Sequence, residues 1–92
     1  MKIVINNTYG GYEVPDAICC RLGCDRYDDS DEVRTNPEFI AYVENTPDTT
    51  LAVAIIPNDA TDWEILDDGG WERIICVVNG KLCFSRVLGR GL

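Results

Sequence analysis

The sequence has no histidine, one methionine, two phenylalanines and only 8 lysines and arginines in 92 residues. Without histidine, the side chain that most often serves as a general base near neutral pH is missing. Ser-His-Asp and Cys-His nucleophile arrangements are therefore excluded. Only paired carboxylates or an unassisted thiolate are left, and no enzymatic activity is expected. No apolar run approaches the roughly 18 residues of a membrane-spanning helix. The opening stretch Ile3-Val4-Ile5 is too short for the apolar part of a signal peptide. A soluble, cytoplasmic protein is expected. The scarcity of basic residues also argues against direct nucleic-acid binding and against anionic membranes, because attraction to phosphate comes from Lys and Arg.

What is present is acid. Sixteen Asp and Glu give a formal net charge of −8, and the apolar fraction of 46% is that of a globular chain. The length allows one domain, 1–92, with residues 88–92 expected to be a flexible tail. All sixteen acidic residues lie between Glu13 and Glu72, where Arg21, Arg26 and Arg34 are the only basic ones, so this stretch carries −13. Lys2 precedes it, and Arg73, Lys81, Arg86 and Arg90 follow it. Two clusters stand out: Asp25, Asp28, Asp29, Asp31 and Glu32, then Asp59, Asp62, Glu64, Asp67, Asp68 and Glu72. The first lacks the spacing, central Gly and distal Glu of an EF-hand calcium loop. A solvated, solubilising role is one reading of both clusters. The other is a fixed anionic surface that engages a basic groove.

Cys19, Cys20, Cys24, Cys76 and Cys83 are odd in number, and they read as reduced thiols in a cytosol. The C-C-x3-C spacing of the first three does not match zinc motifs, and no histidine can complete a tetrahedral set. No metal and no cofactor is expected. Small apolar thiols filling a helix face is the simpler reading.

The chain divides into a helical first half and a β second half. Lys2 to Ile5 is β-branched and reads as a strand. Asn6 to Gly11 breaks it, and one tyrosine of Tyr9-Gly10-Gly11-Tyr12 is expected to plug the core edge. Pro15-Asp16 opens a short helix over Ala17 to Leu22, with Gly23 as a left-handed stop. Asp25 to Glu32 reads as an acidic loop. Thr35-Asn36-Pro37-Glu38 starts a second helix that runs to about Glu44 or Asn45 and is ended by Thr46-Pro47-Asp48. Leu51 to Ile56 is a buried strand, Asp62 to Ile65 a half-exposed one, and Trp71 to Val78 a central one. Asn79-Gly80 marks a tight hairpin. Lys81 to Val87 returns as the last strand, pairing Val77 with Leu82 and Ile75 with Phe84 on one face and setting Cys76 opposite Cys83 on the other. Reduced packing of that thiol pair is expected rather than a disulfide. Trp63 is expected to be buried and Trp71 partly exposed. The fold class is α+β, a small antiparallel sheet of about five strands with a C-terminal meander and two short helices on one face.

Four motifs in the same order carry a resemblance. They are Lys2-Ile3-Val4-Ile5-Asn6 with Tyr9-Gly10-Gly11-Tyr12; Arg34-Thr35-Asn36-Pro37-Glu38-Phe39-Ile40; Ile56-Pro57-Asn58-Asp59-Ala60-Thr61-Asp62-Trp63-Glu64-Ile65; and Asp68-Gly69 with Trp71-Glu72. The chain resembles a family of small uncharacterised phage and prophage accessory proteins over residues 1–75. The short cysteine-rich first helix and the Asn79-Gly80 hairpin depart from that pattern. The resemblance implies a phage accessory role in the host cytoplasm and supplies no catalytic residue.

Charge and resemblance together point to a non-enzymatic interaction protein. It is expected to bind and inhibit a host protein with a basic nucleic-acid-binding surface, as an anti-CRISPR or other anti-defence inhibitor that mimics nucleic acid. The candidate partner-binding residues are Asp28, Asp29, Asp31, Asp62, Glu64, Asp67, Asp68 and Trp71. A monomer or homodimer is expected. The alternative is an assembly module that self-associates through an edge strand, Leu51–Ile56 or Lys81–Val87.

Overall fold

The computed structural model describes residues 1–8, 10–46 and 50–88. The β-branched opening forms β1 (Lys2–Asn6), which pairs antiparallel with β2 (Leu51–Ile55) from Lys2↔Ile55 to Asn6↔Leu51. Both strands are apolar on both faces, so neither side of this sheet can face water. Between them the described residues make three short helices, α1 (Asp16–Leu22), α2 (Asp31–Arg34) and α3 (Pro37–Glu44). The second half gives β3 (Ala60–Asp68), β4 (Trp71–Val78), β5 (Lys81–Phe84) and β6 (Arg86–Leu88). The result is a small α+β fold with, among the described residues, two three-stranded antiparallel sheets, ordered β1-β2-β6 and β3-β4-β5.

The β1-β2-β6 sheet is the middle layer. On one side Val4, Leu51 and Val53 meet Val14, Ile18, Val33, Phe39 and Val43 from the helical half. On the other side Ile3, Ile5, Ala54 and Ile56 meet Ile74, with Ala60, Trp63 and Ile65 packed against them from the second sheet. The helices therefore share one face, as the sequence suggests, but the strands do not form a single sheet. The last strand is broken at Ser85. Its N–H still donates to the Ile74 carbonyl at 2.9 Å, and the chain then bends so that β6 pairs with β2, Val53↔Leu88 to Ile55↔Arg86. That bend covers the second edge of the most apolar strand. Consequently Leu51–Ile55 is central in its sheet and cannot be an associating edge.

The capping signals act as chemistry requires. Gly23 closes α1 in the left-handed region at φ 65°. Asn36 caps α3, its side-chain oxygen accepting from the Glu38 N–H at 2.9 Å, with Pro37 in the first turn. Within the acidic loop, Ser30 accepts from the Val33 N–H and starts α2, with Asp31 and Glu32 against its positive end. The charge density of this stretch hides that four-residue helix from a sequence reading. The hairpin register is as expected: Val77↔Leu82, Cys76↔Cys83 and Ile75↔Phe84. Leu88, the first residue of the expected 88–92 tail, ends β6, and Tyr12 packs half-buried against the helical core; Tyr9, the Pro47-Asp48 helix stop and residues 89–92 lie outside the described residues.

Candidate partner-binding surface

The site is built on one buried ion pair. Arg34, at the end of α2, and Glu72, near the start of β4, have side chains only 3% and 6% exposed. The guanidinium meets the carboxylate with both arms, Nη1 to Oε1 at 2.9 Å and Nη2 to Oε2 at 2.8 Å. Nη1 also donates to the Val4 carbonyl and Nε to the Asp29 carbonyl, both at 3.0 Å. The backbone N–H of Asn6 donates to Glu72 Oε1 at 2.8 Å. The Tyr12 ring lies 4.0 Å from the guanidinium, and its hydroxyl donates to the Asp28 carbonyl at 3.0 Å. Burial disfavours the Arg34 charge, but Glu72 more than offsets this and the group stays above its ordinary value. Burial raises the Tyr12 phenol, with Arg34 pulling the other way.

This pair joins the two acidic clusters. Arg34 grips the backbone of the first cluster through Asp29, and Tyr12 grips it through Asp28. Glu72 sits directly opposite Asp67 in the β3–β4 ladder of the second. Glu72 belongs to that cluster in the sequence, but in the fold it is buried and neutralised. Nothing in its local sequence distinguishes it from Asp68 or Glu64.

Asp31 on α2 and Glu64 on β3 line one cleft of about 400 Å³, together with Trp63 and Ile65. Both carboxylates are exposed. Asp62 and Glu64 lie on the same face of β3, about 6–7 Å apart along the strand. An irregularity between Ala60 and Asp62, where β3 has one more residue than β4, sets that parity. The register continues each acid into an apolar row: Asp62↔Val77↔Leu82 and Glu64↔Ile75↔Phe84. A groove of about 250 Å³ runs here, lined by Asp62, Trp63, Glu64, Ile75, Val77 and Leu82. Leu82 is 71% and Phe84 57% exposed, with the Arg73 guanidinium 4.8 Å from the Phe84 ring. The acid row is thus the border of an apolar face, a feature absent from the sequence reading.

The remaining candidates divide. Asp29 is exposed, and Asp67 and Asp68 are exposed at the β3–β4 turn, where Asp67 accepts from the Gly70 N–H at 2.8 Å. Asp28 is half-buried and turned to Ser30, whose side chain and N–H hold its carboxyl below the ordinary value. It shapes the loop more than it faces outward. Trp71 is half-buried at the start of β4 opposite Asp68, and Trp63 is half-buried rather than fully so. Arg21 and Arg26 pair with Glu38, Glu13 and Asp16, and Lys2 with Glu44. Among the described residues, Asp25, Asp28, Asp29, Asp31, Glu32, Asp59, Asp62, Glu64, Asp67 and Asp68 form no ion pair.

Among the described residues no group of three or more His, Cys, Asp or Glu is arranged to hold a metal ion. Cys19 and Cys24 pack against the helical core, while Cys20 is exposed and fills no face. No helix among the described residues is long and apolar enough to cross a membrane. No family model, curated protein or solved structure matches this chain.

Proposed function

We propose that this protein is a non-enzymatic inhibitor that binds a basic, nucleic-acid-handling surface of a host protein and occupies the place of the phosphate backbone. An anti-CRISPR or other anti-defence inhibitor is the concrete form of this reading. The observation that carries it is the cleft shared by Asp31 and Glu64 beside Trp63. Residues 33 positions apart bring two unpaired carboxylates to one place, and Arg34–Glu72 ties the helix of the first to β4, the ladder partner of the strand of the second. Spaced negative charge on a rigid platform speeds encounter with a basic groove and fixes its register, and the half-buried Trp63 in the same cleft adds apolar contact area. The phage-like motif order adds support from the sequence side.

The test is capture from bacterial lysates by the parent and by a variant carrying Asp31→Lys, Asp62→Lys and Glu64→Lys. The parent is expected to retain a nucleic-acid-binding protein at low salt, to release it at high salt, and to block that protein's nucleic-acid binding. The variant is expected to lose retention. Equal retention by both chains removes the electrostatic mechanism.

A second reading, assembly by self-association, is favoured by one observation. Among the described residues β5 is an edge strand, and its Leu82 and Phe84 are exposed. Oligomers that form without any partner, and dissociate on Leu82→Lys or Phe84→Lys, would favour it.

A further inference from the structure

Cys76 and Cys83 oppose one another across the β4–β5 ladder, with their sulfurs 3.4 Å apart. They lie on the hairpin face away from Leu82 and Phe84. Cys76 is buried and Cys83 is exposed. Cys76 Sγ also approaches the Cys83 carbonyl at 3.5 Å and the Ser85 hydroxyl at 3.7 Å. Directly opposed residues of an antiparallel pair have Cα atoms about 4.5–5.5 Å apart, within the roughly 4.4–6.8 Å that disulfides span. The Cα spacing of the ladder is therefore one that a disulfide can span. The arrangement is ordered as well as close, with an accessible thiol backed by a shielded one.

We infer that Cys76 and Cys83 form a dithiol–disulfide exchange site whose co-reactant is a low-molecular-weight disulfide of the glutathione type. The Cys83 thiolate attacks one sulfur of the small disulfide. A mixed S–S bond forms, the original S–S bond breaks, and one small thiolate leaves. The Cys76 thiolate then attacks the Cys83 sulfur, the mixed bond breaks, and the second small thiolate leaves. The two protein thiols lose two protons and two electrons in all. The small disulfide accepts the electrons, and its two thiolates take up the protons. The product is a covalent staple across β4–β5, just ahead of the bend at Ser85 where the chain crosses to the other sheet. Reduction by excess small thiol reverses it. The site is separate from the acidic cleft and does not depend on the binding reading.

The folded protein is incubated with oxidised glutathione at about pH 8.5, near the ordinary thiol value, because the Cys76 hydrogen bond and burial raise the Cys83 thiol. Free thiols are then alkylated and the chain is digested with trypsin. Cleavage after Arg73, Lys81 and Arg86 places Cys76 on 74–81 and Cys83 on 82–86, so only the new bond links them. The expected result is that linked pair, with two of the five thiols lost, the chain lighter by two hydrogen atoms, and full recovery on reduction. Cys83→Ser, at an exposed position, is expected to keep the parent circular dichroism and to yield no linked pair. Three results would overturn the inference: a lasting glutathione adduct on Cys83, thiol loss confined to the peptides of Cys19, Cys20 and Cys24, or no thiol loss.

Discussion

Two side chains decide more about this molecule than their composition suggests. Arg34 and Glu72 are buried, doubly hydrogen-bonded, and tied to the backbone of β1 and of the acidic loop. A buried pair adds little over apolar packing, yet removing one member leaves an uncompensated charge that costs about 3–5 kcal/mol. Domains of this size have about 5–15 kcal/mol in total. Glu72→Gln keeps the shape and an acceptor for Asn6 but strands the guanidinium. It is expected to lower unfolding free energy in urea by about 3 kcal/mol. The double change Arg34→Met and Glu72→Met is expected to be less destabilising than the sum of the single changes, since neither charge is left alone. Additive losses would show that the two groups do not act as a pair. At this scale the sequence was partly legible. It marks Arg34 as one of three cations in a long acidic stretch, but it does not separate Glu72 from the other acids of its cluster. Burial of one carboxylate among many is a tertiary event, with no local pattern to announce it.

Elements were more legible where local chemistry dictates geometry. Asn36-Pro37 and Gly23 set helix ends, and Asn79-Gly80 sets a hairpin whose register followed residue by residue. At the turn, Asn79 has φ 54° and Gly80 φ 76°. A Cβ at Gly80 meets nothing within 4 Å, so the cost of Gly80→Ala is backbone strain alone, about 1–2 kcal/mol. Urea unfolding followed by tryptophan fluorescence is expected to show that loss with an unchanged slope. An unchanged midpoint would mean that strand packing, not the turn, holds the register. The break at Ser85 was not legible, because Lys81 to Val87 reads as one strand. The reason lies elsewhere in the chain: β2 is apolar on both faces, and its second edge needs a partner more than β4 needs a longer one. The split of one expected sheet into two follows from that demand. So does the apolar outer face bearing Leu82 and Phe84, since the β1-β2-β6 sheet lies against the opposite face of β3-β4-β5.

For the molecule as a whole, the segregation of charge along the chain becomes a property of the surface only if its two acidic clusters are brought together. The Arg34–Glu72 clamp does this, and the shared cleft of Asp31 and Glu64 is its result. Charge count and order were legible from sequence; the meeting of the two clusters was not, because it depends on a contact between residues 38 positions apart. Crowded carboxylates repel, and two charges 6–7 Å apart in water interact by about 0.6 kcal/mol. Several such pairs destabilise the fold by about 1–2 kcal/mol at low ionic strength, and added salt screens this. The exposed ion pairs lose little in return, and the buried one is scarcely screened. Folding stability is therefore expected to rise by about 1 kcal/mol as sodium chloride goes from about 20 mM to about 500 mM. The Asp31→Lys, Asp62→Lys, Glu64→Lys variant, whose net charge moves from −8 to −2, is expected to gain much less. Association with a basic partner carries the opposite sign, weakening with salt in the parent and hardly responding in the variant. Measured together, urea midpoints and partner retention separate an anionic platform from acid spread for solubility alone. If parent and variant gain the same stability from salt, these three carboxylates are not part of a repelling patch and the surface has no fixed negative face at this cleft.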